Sequence, residues 1–189
     1  MKKNGEVRII GGQWRGRKIA VPDELGVRPT PDRVRETLFN WLKPHLRDAI
    51  CLDAYAGSGA LGFEALSRGA KNVTFVDSNP AIIKQLEETA EILKTDAIDI
   101  VLAKFPRQFT PSSKSGEAKF NIVFLDPPFS KNYLPGACHF LEDQQLLAKN
   151  ALIYIECEAR LEELDIPDNW EIIKQQQAGD VQYCLIKRQ

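Results

Sequence analysis

From residue 48 onward, short apolar runs alternate with longer stretches whose apolar residues recur at helical spacing. Such runs are typical of strands buried on both faces, so the alternation favours an α/β fold with a mostly parallel sheet. The seven predicted strands cover residues 50–54, 73–77, 98–103, 122–126, 152–156, 170–174 and 181–187. The predicted helices cover residues 60–69, 79–95, 132–148 and 158–164. The last two strands are too close for a crossover helix, so we expect a C-terminal antiparallel hairpin that turns near Gly179.

The leading segment follows a different pattern. Residues 7–10 and 17–21 predict a hairpin, and Thr30 followed by Pro31 predicts a helix N-cap with proline at the first helical position. The helix should continue to about residue 44 and pack its apolar face on the rest of the chain. The sequence therefore predicts a hairpin-helix extension in front of the α/β core.

Charge is distributed unevenly between these two parts. The extension, residues 1–47, holds 11 Lys and Arg against 5 Asp and Glu, whereas the whole chain holds 25 against 26. A basic extension docked on an acidic core, residues 48–189, is typical of a protein that binds a polyanion through one face. Trp14 lies beside Arg15 and near Arg17, and an aromatic among cations can stack on bases as well as approach phosphates. A solvated arm without a partner is the alternative.

Composition limits the class of protein further. The four cysteines lie far apart and only two histidines could join them, so neither a disulfide framework nor a metal site is expected. No apolar run approaches the ~20 residues of a membrane span, and no signal-peptide pattern follows the N-terminal Met-Lys-Lys. We expect a cytoplasmic protein without membrane contact. We also expect a monomer, since no feature of the sequence demands an interface.

A glycine-rich loop follows the first strand of the core. Gly57, Gly59 and Gly62 form G-x-G-x-x-G between a strand and a helix, which is the context of a nucleotide-binding turn. Asp77 closes the next strand, where a carboxylate can accept ribose hydroxyls. Asp53, just before the loop, would repel a pyrophosphate but attract the ammonium and sulfonium of S-adenosylmethionine. The loop therefore favours that cofactor over a nicotinamide or flavin, with a helix cap or salt bridge as the alternative role of Asp53.

A second motif, Asp126-Pro127-Pro128-Phe129, follows the fourth strand of the core. Paired prolines force the chain out of the sheet at a fixed angle, and ligands bind outside the carboxyl ends of such strands. The Asp126 carboxylate and the Pro127 carbonyl can each accept an N–H of a planar amine, while Phe129 stacks on its base. A base in this pocket must leave its stack. A rigid turn before a core phenylalanine is the alternative interpretation.

Together these motifs resemble the RsmD family of small-subunit (16S) ribosomal RNA guanine-N2 methyltransferases. The resemblance spans essentially the whole chain and is carried by residues 8–18, 28–42, 56–62, 64–68 and 126–129. It implies a class I, Rossmann-like methyltransferase that transfers the methyl group of S-adenosylmethionine to the exocyclic N2 of one guanine. It also implies that the substrate is 16S rRNA in an assembled or assembling small subunit.

The resemblance implies roles for particular residues. Those implied to hold the cofactor are Asp53, Gly57, Ser58, Gly59 and Asp77, with Thr30 and Arg35 on a leading helix that closes over it. Related enzymes usually offer adenine a small polar or acidic side chain after the third strand, where this chain has Lys104 and Phe105. Main-chain groups and packing on Phe105 are therefore expected to hold adenine. The expected RNA contacts, mostly to phosphates, are Trp14, Arg15, Arg17, Lys18, Arg33 and Lys131.

Other functions remain open at this point. The same chemistry could act on N6 of adenine in nucleic acid or on a glutamine side-chain amide, since those enzymes use a similar Pro-Pro-aromatic turn. A nicotinamide-dependent oxidoreductase would explain the glycine loop, but Asp53 and the lack of a catalytic His or Tyr-x-x-x-Lys arrangement oppose it. A non-catalytic RNA-binding assembly factor would not need Asp126 and Phe129.

Overall fold

The computed structural model describes residues 5–21, 30–110, 119–128, 133–157 and 163–189. Within these ranges the chain forms a two-stranded hairpin and a seven-stranded sheet with four α-helices. The strands are β1 (Gly5–Arg8), β2 (Lys18–Val21), β3 (Ile50–Asp53), β4 (Asn72–Asp77), β5 (Ile98–Leu102), β6 (Phe120–Leu125), β7 (Leu147–Cys157), β8 (Trp170–Ala178) and β9 (Val181–Arg188). The helices are α1 (Asp32–Leu42), α2 (Ala60–Ser67), α3 (Pro80–Leu93) and α4 (Leu134–Asp143).

The large sheet has the strand order β5-β4-β3-β6-β7-β9-β8. Strands β3 to β7 pair in parallel, whereas β9 is antiparallel to both of its neighbours, β7 and β8. The predicted seven-stranded, mostly parallel sheet with a final antiparallel hairpin is thus confirmed. The chain leaves β3 toward β4 on one side and returns to it with β6 on the other. In open α/β sheets, this reversal opens a ligand crevice at the carboxyl ends of the strands.

The sheet separates two apolar cores. Successive side chains of a strand point to opposite faces, so Phe75 and Phe124 belong to one cluster, whereas Val76 and Val123 belong to the other. Apolar side chains of α1, α2 and α3 cover the first face, and those of α4 cover the second. We call the first side the α1–α3 face.

The described part of the extension packs on this core. Val34, Leu38 and Leu42 of α1 are buried on the α1–α3 face, as the helical spacing predicts. The turn between β1 and β2 lies against the end of α2, where the Gln13 N–H donates to the Ser67 carbonyl at 2.8 Å. Gly12 has a φ of 76°, and a Cβ there would lie 1.7 Å from the Ser67 oxygen, so this approach requires glycine. The boundary at residue 47 stays a prediction.

Two element boundaries differ most from the predicted ones. The helix predicted over 132–148 ends at Asp143, because Gln145 takes a φ of 53° and the Leu146 N–H returns to the Leu141 carbonyl at 3.0 Å. The following strand therefore begins at Leu147, which pairs with Phe120 of β6, and not at residue 152. Of the helix predicted over 158–164, residues 158–162 lie outside the described residues.

The start of α1 also differs. Pro31 holds the N-cap position and no side chain caps the helix, so the prediction of a Thr30 cap was wrong. Instead, the Thr30 hydroxyl donates to Oδ2 of Asp126 at 3.3 Å. A tertiary partner 96 residues away has replaced the local capping bond.

Candidate functional site

Four carboxyl groups follow one another along the carboxyl ends of four neighbouring strands. They belong to Asp77 of β4, Asp53 of β3, Asp126 just beyond β6 and Glu156 of β7. Each of these residues comes two positions after a residue whose side chain packs in the apolar cluster on the α1–α3 face. Because side chains alternate between the faces of a sheet, all four carboxyl groups lie on that same face. We call this set the acid row. It gives the switch point of the sheet a negative character that suits a cationic ligand and opposes a phosphate.

The glycine loop is fastened to the first member of the acid row. The Gly57 N–H donates to Asp77 Oδ2 at 3.0 Å, and the Asn79 N–H donates to Oδ1 at 2.9 Å. Gly57 and Gly59 have φ values of 50° and 77°, which a glycine adopts without strain. Each Asp77 oxygen keeps a lone pair, so the partly exposed carboxylate can still accept ribose hydroxyls.

Asp53 lies under the N-terminus of α2. Its Oδ2 accepts the Gly62 N–H at 3.0 Å, so it does serve as a helix cap, and its side chain is only 3% exposed. The pKa of Asp53 is raised to about 8, mainly by burial. The hydrogen bond from Gly62 lowers this pKa, and the charge of Asp77 raises it. A cation beside Asp53 would favour its ionised form, so the cap does not exclude a role at the cofactor.

Asp126 lies where the Pro-Pro turn leaves the sheet. Its half-buried carboxyl accepts the Thr30 hydroxyl, and Pro127 beside it is buried. Burial, then the charge of Glu156 and then that of Asp53 raise the pKa of Asp126 well above its ordinary value, while the Thr30 hydrogen bond lowers it. Phe129 and Lys131 lie outside the described residues.

Glu156 is a member of the site that sequence reasoning missed. Its carboxyl is 5% exposed, and Oε1 accepts the Tyr154 hydroxyl at 2.6 Å. Burial raises the pKa of Glu156, whereas the hydrogen bond from Tyr154 lowers it. A carboxylate that ends an apolar strand beside the strand of Asp126 was the signal that could have identified it.

Aromatic side chains border the glycine loop on the opposite face. Phe105 is 3% exposed and makes an edge contact with Tyr55, with ring centroids 5.7 Å apart. It also packs against Phe109 and Phe140, so protein rings cover most of its surface. Its predicted contact with adenine stays a prediction. The Tyr55 hydroxyl is buried and has no hydrogen-bond partner among the described residues.

All predicted RNA contacts except Lys131 lie on the extension. Arg15, Arg17, Lys18 and Arg33 are exposed, although Lys18 Nζ pairs with Glu6 Oε2 at 2.5 Å. Trp14 is partly buried and packs against the core, and its backbone N–H donates to Ser67 Oγ at 3.0 Å. The structure therefore leaves the arginines available to a polyanion, whereas Trp14 also holds the hairpin on the core.

Arg35, a weaker candidate from the resemblance, is fully buried. Its NH2 group donates to the Arg8 carbonyl at 2.9 Å and to Asp32 Oδ1 at 2.6 Å, and its NH1 lies 3.9 Å from Glu64 Oε2. These contacts join α1, the hairpin and α2. Its position at the base of the extension thus explains its burial without a cofactor.

Neither a metal site nor a membrane-spanning helix occurs within the described residues. No cluster of three or more His, Cys, Asp or Glu side chains in the described ranges could hold a metal ion. In the same ranges, no helix combines the length and the apolar character that crossing a membrane requires.

Known proteins resemble the chain over nearly its whole length. The model of a family described as Conserved hypothetical protein 95 matches residues 7–187. Ribosomal RNA small subunit methyltransferase D of Escherichia coli strain K12 is 46% identical over 190 residues, covering 98% of this chain and 92% of the relative. The Haemophilus influenzae protein of that name is 44% identical, covering 96% and 93%. A solved structure, the putative methyltransferase yhhF from Escherichia coli, superposes with a TM-score of 0.85 at 46% identity, covering 98% and 99%.

Proposed function

We propose that this chain, a member of the family described as Conserved hypothetical protein 95, methylates the exocyclic N2 of one guanine in small-subunit (16S) ribosomal RNA. The chain is a methyltransferase with a Rossmann-like fold and uses S-adenosylmethionine. The observation that carries the proposal is Asp126, a half-buried acceptor at the switch point of the sheet, where the Pro-Pro turn begins. The guanine and the small subunit follow from the resemblance and from the relatives' names.

The acid row fits the cofactor. When bound, S-adenosylmethionine supplies a methyl group on a positively charged sulfur. Asp77 would accept its ribose hydroxyls, and Gly57, Ser58 and Gly59 would lie along its methionine part. Asp53 would be near the positive charges. A dinucleotide would instead place its pyrophosphate beside two carboxyl groups, which disfavours the oxidoreductase alternative.

Asp126 would orient the target amine. The lone pair of an exocyclic amine is delocalised into the base, so the nitrogen is a weak nucleophile. Hydrogen bonds from its N–H groups to Asp126 and the Pro127 carbonyl would aim the lone pair and favour a more tetrahedral nitrogen. Phe129 would stack on the flipped base.

The extension would hold the RNA. Exposed Arg15, Arg17 and Arg33 would contact phosphates and position the enzyme without reading the sequence. Lys18, Lys131 and Trp14 would extend this surface. Their support is the concentration of basic side chains in residues 1–47, ahead of an acidic core.

Variants of Asp126 test the proposal. With labelled S-adenosylmethionine and small subunits that lack the modification, we expect Asp126→Ala and Asp126→Asn to lower kcat by about a hundredfold or more. Cofactor affinity should stay within about threefold of wild type, because the proposal assigns Asp126 to the target amine and not to the cofactor. Asp180→Asn, the same change in the exposed turn between β8 and β9, is the control. Full activity of both Asp126 variants would refute the assigned role.

A further inference from the structure

One hydroxyl group of the extension reaches the carboxyl group that we assign to the target amine. The side chain of Thr30 is buried, and its hydroxyl donates to Asp126 Oδ2 at 3.3 Å. A threonine hydroxyl has a single hydrogen to donate. That hydrogen does not cap α1, since no side chain accepts or donates at this helix start. The donor of Thr30 therefore serves Asp126.

The backbone that carries Thr30 is fixed by its neighbours. Thr30 precedes Pro31, and a residue before proline is held in extended backbone. The Pro31 carbonyl accepts the Arg35 N–H at 3.0 Å, which joins this turn to the first turn of α1. The buried Arg35 guanidinium donates to Asp32 Oδ1 at 2.6 Å and to the Arg8 carbonyl at 2.9 Å. The start of α1 is thus fastened to the hairpin, and the Thr30 hydroxyl is held at a defined place.

The other groups that face Asp126 oppose its ionisation. They are Glu156 and Tyr154 from β7 and Asp53 from β3, and none of them is a cation. Burial and the two carboxyl groups raise the pKa of Asp126, whereas the hydrogen bond from Thr30 lowers it. Thr30 therefore favours the ionised form. Because the bond engages Oδ2, it also leaves Oδ1 to accept an amine N–H.

We propose that Thr30 is a positioning residue that acts through Asp126, because its hydroxyl fixes the carboxylate through Oδ2 and presents Oδ1 to the target amine. This assigns Thr30 to the acceptor of the amine, whereas the family resemblance implies a contact with the cofactor. The role rests on the proposed function of Asp126. It also makes the extension part of the active site, in addition to the RNA surface.

Two variants of Thr30 separate the hydroxyl from the shape of the side chain. Thr30→Val keeps the shape and removes the donor, so we expect kcat to fall about tenfold or more while KM and the cofactor Kd stay within about threefold. Thr30→Ser keeps the donor and should have a kcat at least about fivefold above that of Thr30→Val. Thr37→Val, the same change where the hydroxyl donates to the Arg33 carbonyl of α1, is the control and should leave kcat unchanged.

The pH dependence of kcat supplies a readout that a loosened fold would not move. Ionised Asp126 is the active form, so kcat falls as the pH drops through its pKa. Loss of the Thr30 bond raises that pKa, and the acidic fall of kcat should therefore occur at higher pH in Thr30→Val than in wild type. Thr30→Ser should shift it back toward the wild-type position.

Three results would overturn the proposal. The first is a Thr30→Val variant that binds S-adenosylmethionine more weakly at unchanged kcat, which would assign Thr30 to the cofactor. The others are equal kcat values in Thr30→Val and Thr30→Ser, and an acidic fall that does not move.

Absence of methyl transfer by wild type would refute the proposed function instead. Carbon-13 NMR titration of the Asp126 carboxyl, assigned by its loss in Asp126→Asn, then decides the positioning role in the free protein. The midpoint must rise in Thr30→Val and stay in place in Thr37→Val, and a midpoint that is the same in both variants would contradict the proposal.

Discussion

At the scale of single residues, the acid row explains why this site suits a cation-bearing methyl donor. Asp77 is fixed by two backbone N–H groups, whereas Asp53 and Asp126 have raised pKa values because they are buried near other acids. Asp53, Asp77 and Asp126 were predictable because each lies beside a recognisable glycine or proline motif. Glu156 and the tertiary role of Thr30 were not, since one depends on strand order and the other on a contact 96 residues away.

The raised pKa of Asp53 predicts that cofactor affinity depends on pH. The free carboxyl has a pKa of about 8, and a bound cation favours its ionised form, so binding below that pH must release a proton. We expect affinity to fall by up to about tenfold for each pH unit below the pKa and to level off above it. Calorimetric titration in buffers of different ionisation enthalpy measures both the affinity and the proton release.

Asp53→Asn is the matched control for this pH effect. Its amide oxygen can still accept the Gly62 N–H, but the side chain no longer titrates. The variant should bind S-adenosylmethionine more weakly at high pH and show a flatter pH dependence than wild type. Identical pH dependence in the two proteins would mean that Asp53 does not face the cofactor's charge.

At the scale of elements, one buried acid fastens the hairpin to the core. Both oxygens of fully buried Glu64 on α2 accept hairpin N–H groups, from Ile10 at 2.7 Å and Gly11 at 2.8 Å, and Oε1 also accepts Arg68 Nε at 2.6 Å. The seven strands of the core sheet followed from the apolar pattern, because strand burial is a property of each segment. The attachment of the hairpin through Glu64, the Glu64 clamp, did not follow from that pattern. Glu64 lies within a helix, and the hairpin N–H groups that it accepts lie more than 50 residues away along the chain.

Loss of the Glu64 charge should destabilise the protein strongly. Glu64→Gln leaves the buried Arg35 guanidinium with only the exposed Asp32 as a carboxylate partner, and one hairpin N–H loses its acceptor. We therefore expect the free energy of unfolding to fall by about 3–5 kcal/mol. Urea unfolding of the variant measures the change, with Glu88→Gln as the exposed control. Hydrogen exchange at the Ile10 and Gly11 amides should accelerate more than exchange in β3. A change below about 0.5 kcal/mol, the usual size for a surface substitution, would show that the clamp is not a major source of stability.

At the scale of the whole molecule, opposite charges lie on connected parts. The extension presents exposed arginines, and the sheet presents the acid row at its carboxyl edge. Thr30 joins the two, since it lies two residues before α1 and its hydroxyl donates to Asp126. We therefore expect RNA binding and cofactor binding to be separable by mutation, although both contribute to one site.

Charge reversal on the extension tests this separation. Arg15→Glu with Arg17→Glu should weaken binding to small subunits by about a hundredfold or more at low salt and reduce its salt dependence. Affinity for S-adenosylmethionine should be unchanged, since neither side chain belongs to the acid row. The control is Lys84→Glu with Lys174→Glu, which changes the net charge equally on exposed parts of α3 and β8. Unchanged subunit binding and methylation kinetics in the arginine variant would exclude the extension as the RNA surface.

The identity of the modified nucleoside tests the central claim most directly. Small subunits that lack the modification are incubated with the enzyme and labelled S-adenosylmethionine, and their RNA is digested to nucleosides for mass spectrometry. We predict N2-methylguanosine with wild type, formed at least about a hundredfold more slowly with Asp126→Ala. N6-methyladenosine would contradict the substrate while preserving the fold and the cofactor, and absence of any methylated nucleoside would favour a binding protein that performs no transfer.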